Sequence, residues 1–100
     1  MKTTVAIPHH DLPSALRDAA LERVQALESI GTELHSIHVV LEKDHLEHHV
    51  EIVANVNHAQ TLVADARAEA FEGALDAAYG KMETQLRKLH EKIVDRRHGK

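Results

Sequence analysis

Two groups of side chains in this 100-residue chain have the right type and spacing for chemistry. The first is a row of cations near the C-terminus: Lys81, Arg87, Lys88, Lys92 and Arg96. On a helix turning 100° per residue, Lys81, Lys88 and Lys92 fall within about 40° of one another, Arg96 lies close by, and Arg87 falls on the far flank. Cations at regular spacing on a rigid rod suit the phosphates of a nucleic-acid backbone. The plainer reading is a solvated helix face whose positive end complements the macrodipole. The second group is histidine, ten in all, including His9-His10 and the run His45, His48, His49. His48 and His49 alternate across a strand and cannot share one ion. His45 with one of them and Asp44 or Glu47 is the conceivable divalent-metal set. With no cysteine and no His-x₃-His pair on a helix, the histidines read instead as surface residues, and no metal or cofactor is expected.

Catalysis finds no support. Ser14, Ser29 and Ser36 sit in no glycine-flanked elbow, four glycines form no phosphate-binding loop, and the carboxylates have nothing around them to raise a pKa. The chain reads as a non-enzyme with no small-molecule substrate. Aromatics are only Phe71 and Tyr79, which excludes an RNA-binding sheet built on base stacking. No apolar run reaches the roughly 20 residues of a membrane span, and no signal peptide is read at the N-terminus. The net charge of −4 is unevenly spread. Residues 1–80 carry 5 Lys/Arg against 13 Asp/Glu, a balance of −8, and residues 81–100 carry 7 against 3, a balance of +4. Protonating all ten histidines would take the formal charge from −4 to +6. Affinity for an anionic partner is therefore expected to rise between about pH 7.5 and 6, with His90 beside the cationic row.

The elements that must position these groups follow from pattern. Thr3 to Ile7 is β-branched, stops at Pro8 and reads as a strand. Asp11 or Ser14 caps a helix running to about Ile30, with Leu16, Ala20, Val24 and Leu27 inward and Asp18, Glu22 and Gln25 outward. Leu34–Lys43, His48–Val56 and Gln60 to about Arg67 alternate as strands, and connections too short for crossovers make them an antiparallel meander. Phe71, Leu75, Ala78, Met82, Leu86, Leu89 and Ile93 form one stripe on a helix from about Glu69 to Arg96. Such a helix, roughly 40 Å long, must overhang short strands and project its last turns. The expectation is a single α+β domain spanning 1–100, in the order βαβββα, with a four-stranded mixed sheet and two helices packed on one face.

In this order and length the chain resembles the ribosome hibernation-promoting factors, also called ribosome-associated inhibitor or Sigma-54 modulation proteins. The resemblance runs through Leu12 with Ala15-Leu16-Arg17, Leu27-Glu28, His38-Val39-Val40-Leu41, His49-Val50-Glu51-Ile52, Phe71 with Ala74-Leu75-Asp76, Lys81-Met82 and Gln85-Leu86-Arg87-Lys88. It implies a cytoplasmic protein that occupies the mRNA–tRNA channel of the small ribosomal subunit and stops translation. It also implies rRNA contacts from Arg23 on the first helix and Lys81, Arg87 and Lys88 on the second, to which periodicity adds Lys92. Ala26 and Thr84 stand where the family carries basic residues. With no C-terminal dimerisation domain, the chain resembles the short form and is expected to be a monomer. The alternative is a diverged member acting as a protein-interaction or metal-binding module without ribosome affinity.

Overall fold

The computed structural model describes residues 1–8, 12–30, 34–56 and 60–98, with side chains described as far as residue 92. Its elements are β1 (Lys2–Ala6), α1 (Ser14–Gln25) continuing into a 3₁₀ turn (Ala26–Ile30), β2 (Leu34–Asp44), β3 (Glu47–Val56), β4 (Gln60–Ala68) and α2 (Phe71–His98). The sheet order is β1-β2-β3-β4. β1 runs parallel to β2, with Thr4 opposite His38, and the other two pairings are antiparallel. The α+β fold expected from the pattern is the fold observed.

The core lies between the helices and one face of the sheet. Ile37, Val39 and Leu41 of β2, Val50, Ile52, Ala54 and Val56 of β3, and Ala64 and Ala66 of β4 are buried there. Ala20, Val24 and Leu27 cover them from the first helical segment, and Phe71, Ala74, Leu75, Ala78, Met82 and Leu86 from α2. Leu16 and Leu89, expected on the same stripes, are half-buried at the margins. Ile93 lies beyond the described side chains.

Four local expectations are corrected. Ser14 is the first helical residue rather than a cap: Pro13 holds the N-cap in extended conformation, and no side chain among the described residues caps the helix. A fixed φ near −65° at Pro13 directs the chain into the helix instead, and the Leu16 N–H finds the Pro13 carbonyl. Asp11 and Gly31 fall outside the described residues. The last five residues to Ile30 tighten into 3₁₀ geometry, which keeps Leu27 and Ile30 both turned to the core. β1 ends at Ala6, one residue before the expected Ile7. The β2–β3 connection is tighter than a four-residue turn: Asp44 pairs with Glu47, leaving only His45 and Leu46 in the loop, and His45 adopts φ 53°.

The 28 residues of α2 span about 42 Å at 1.5 Å per residue. The molecule accordingly measures 52 × 22 × 20 Å.

Candidate nucleic-acid interface

The expected contact residues all lie on the helices but do not form one patch. Lys81 extends along the edge of the sheet, where its Nζ donates to the Asp65 carbonyl at 2.9 Å. One turn later the Gln85 amide donates to the Val63 carbonyl, also at 2.9 Å. These two side chains occupy outward carbonyls of β4, which is an edge strand with no neighbour to pair them. Lys88 and Lys92 continue the line of Lys81 along the helix, both exposed and without a partner among the described residues.

Arg23 and Arg87 sit on the other flank of α2. The Arg23 guanidinium lies 3.4 Å from the Asp76 carboxylate and stacks over the Tyr79 ring at 4.4 Å from its centroid. Arg87 donates to Glu83 at 3.0 Å one turn back on its own helix. At 100° per residue, Asp76 and Arg87 stand roughly 120–140° around the helix from the lysine row. The cations therefore border the solvent face of α2 from two sides, with Glu83 and Asp76 among them. Exposed pairs of this kind contribute only about 0–1 kcal/mol each, so exchanging a carboxylate for a phosphate costs little. Thr84, on the same solvent face, turns its hydroxyl back to the Gly80 carbonyl at 3.0 Å.

The opposite face of the sheet is acidic and carries no helix. Glu42, Glu51 and Asp65 project from it with His49 between them. The His49 Nε2–H donates to Asp65 at 3.0 Å, and its Nδ1 lies 3.5 Å from Glu42. That hydrogen bond, with the positive charges of Lys81 and Arg67 nearby, holds the Asp65 carboxyl below its ordinary range. Asn55 donates to Ser36, Thr61 donates to Asn55, and Thr4 is bonded to the His38 ring at 2.6 Å. Val63 on this face is 49% exposed.

As the strand alternation requires, His48 and His49 point to opposite faces. His48 lies on the helix side, edge-on to Phe71 with ring centroids 6.0 Å apart, and its Nδ1 is buried with no partner among the described residues. Nothing in the sequence singles out that orphaned nitrogen, because it depends on which helix residue covers the strand end. Among the described residues no three His, Asp or Glu side chains converge as a metal set. No helix among them is long and apolar enough to cross a membrane.

A slender α+β domain with a projecting cationic helix defines a class that comparison with known proteins identifies. The model of the Sigma 54 modulation protein / S30EA ribosomal protein family matches residues 4–94, and the chain belongs to that family. The family is non-enzymatic. The chain is 29% identical over 99 residues to the ribosome hibernation promoting factor of Azotobacter vinelandii, covering 99% of this chain and 92% of the relative. It is 28% identical to the protein of the same name from Pseudomonas putida over 92 residues, covering 92% and 89%. Two solved structures share the fold. A ribosomal subunit interface protein from Coxiella burnetii superposes with TM-score 0.78 at 22% identity, covering 89% of this chain and 97% of that one. The Protein Y N-terminal domain from Thermus thermophilus superposes with TM-score 0.74 at 20% identity, covering 89% and 99%.

Proposed function

We propose that this protein is a ribosome hibernation factor: it binds the small ribosomal subunit, lies along rRNA in the channel used by mRNA and tRNA, and halts translation in the cytoplasm under stress. Family membership supports the ribosome as the partner. The observation that carries the contact surface is the pair Lys88–Lys92, two exposed cations without a partner among the described residues, on the part of α2 that runs on past Leu86, the last fully buried residue of its stripe among the described side chains. Lys88 and Lys92 are the primary phosphate contacts. Lys81, Arg87 and Arg23 join by exchanging their present carbonyl and carboxylate partners for phosphate oxygens. The acidic sheet face is turned away from the RNA, because Glu42, Glu51 and Asp65 would repel it. The protein binds as one copy per subunit.

The test is co-sedimentation of the purified protein with small ribosomal subunits, alongside inhibition of translation in a reconstituted system. Binding that is lost on raising salt supports the reading. Absence of binding at low salt leaves the alternative module without ribosome affinity.

A further inference from the structure

The flank of α2 opposite the lysine row carries a groove to which the proposed rRNA contacts reach only through Arg23, at its edge. It runs between α1 and the start of α2 and has a volume of ≈ 800 Å³. Leu16, Ala19, Phe71 and Leu75 give it apolar walls, and Glu22 and Glu72 stand on its rim. Both glutamates are exposed and have no partner among the described residues. Arg23, the cation at the groove, is already turned to Asp76 and Tyr79. An RNA backbone would bring phosphates against these carboxylates, so the groove suits a polypeptide with apolar side chains bordered by cations.

The other end of α2 has that composition. Beyond Leu86, α2 presents Lys88, half-buried Leu89 and Lys92 within about 100° of helix surface. It belongs to a segment, 81–100, with a balance of +4, while the body that carries the groove stands at −8. Leu89 stands about 21–27 Å along the same rigid helix from Leu75 and Phe71 of the groove, so one chain cannot fold this segment back into its own groove.

We propose that the α1–α2 groove receives the cationic C-terminal half of α2 from a second copy of this chain, with Leu89 against the apolar walls and Lys88 and Lys92 toward Glu22 and Glu72. The contact is between two different patches, so it either closes as a reciprocal pair or extends as a chain. It covers the lysines proposed to meet rRNA, and self-association and ribosome binding therefore exclude each other.

Analytical ultracentrifugation of the full chain, without ribosomes, tests this independently of the ribosome reading. In low salt, association should rise with protein concentration, and it should vanish in high salt. Glu22→Lys and Lys92→Glu should each weaken it at least tenfold, with circular dichroism unchanged. An equimolar mixture of the two variants should restore it, since each reversed patch then meets its reversed partner. A wild-type chain that stays monomeric at millimolar concentration overturns the proposal, as does association that survives both reversals or fails to recover in the mixture. A monomer that nonetheless binds an unrelated synthetic Lys/Leu helical peptide through Glu22 also overturns it and assigns the groove to a different cationic partner.

Discussion

At the scale of single residues, burial and partnership separate side chains that composition treats alike. Among the cations, Lys88 is exposed with no partner among the described residues, whereas Lys81 is spent on a β4 carbonyl. Lys88→Glu is expected to weaken small-subunit binding about tenfold, ~1.4 kcal/mol, and to lower the salt slope by about 1. Glu51→Lys, on the open sheet face, should leave binding within about twofold of wild type (~0.4 kcal/mol). Equal losses in a filter-binding titration would show that α2 is not the contact surface. His48 gives a prediction of the opposite sign. Its Nδ1 is buried beside Phe71 without a partner among the described residues, and a buried polar atom left unsatisfied costs about 1–3 kcal/mol. His48→Leu should therefore raise stability by about 1 kcal/mol, read as a higher urea midpoint at unchanged m-value. Asp65 shows the effect of pH. Its carboxyl sits below the ordinary range because His49 donates to it, so ionisation favours the folded state above the unfolded carboxyl's pKa. That contribution disappears as pH falls through the lower, folded value. Asp65→Asn should be less stable than wild type near neutrality, and the two melting temperatures should converge in acid.

At the scale of elements, α2 has two regimes. From Phe71 to Leu86 its stripe is buried by the sheet; at Leu89 the cover is partial. Leu86→Ala should cost about 2–5 kcal/mol and Leu89→Ala less than half as much, because only the first leaves a closed cavity. Denaturant titrations of the two variants locate the end of the cover. If Leu89→Ala costs as much as Leu86→Ala, the core continues beyond the sheet. The same helix protects the sheet. Lys81 and Gln85 occupy β4 carbonyls that would otherwise invite another strand. The meander and the stripe were legible from alternation and from 3.6-residue spacing, since both periods are imposed by one buried face. The start of α1 was less so. Asp11 and Ser14 are both good capping residues by type, and the structure uses Pro13 at that position instead. Which residue caps depends on where the preceding strand releases the chain.

At the scale of the whole molecule, charge is divided between an acidic body and a cationic rod. If all five cations meet phosphate, the log–log salt slope should be roughly 3.5–4.5; Lys88 and Lys92 alone would give roughly 1.4–1.8. The expected slope falls inside these bounds, and a salt-independent dissociation constant rules out a phosphate contact.

The order of elements, their faces and the long apolar stripe belong to the sequence by itself, because hydrophobic periodicity is set by local geometry and one-sided burial. So does the charge asymmetry, which needs only counting. The tertiary structure decided which charges are available. Arg23 and Lys88 look equivalent as letters, yet packing α1 beside α2 brings Arg23 to Asp76 and Tyr79, while Lys88 stays exposed with no partner among the described residues. The groove between the helices has the same origin: Leu16, Glu22, Phe71 and Glu72 lie up to 56 positions apart in the chain and meet only because a parallel crossover and a meander return α2 to the side of α1. Spacing along a helix is a local property, but the partner of an exposed side chain is whatever the fold places within about 4 Å of it.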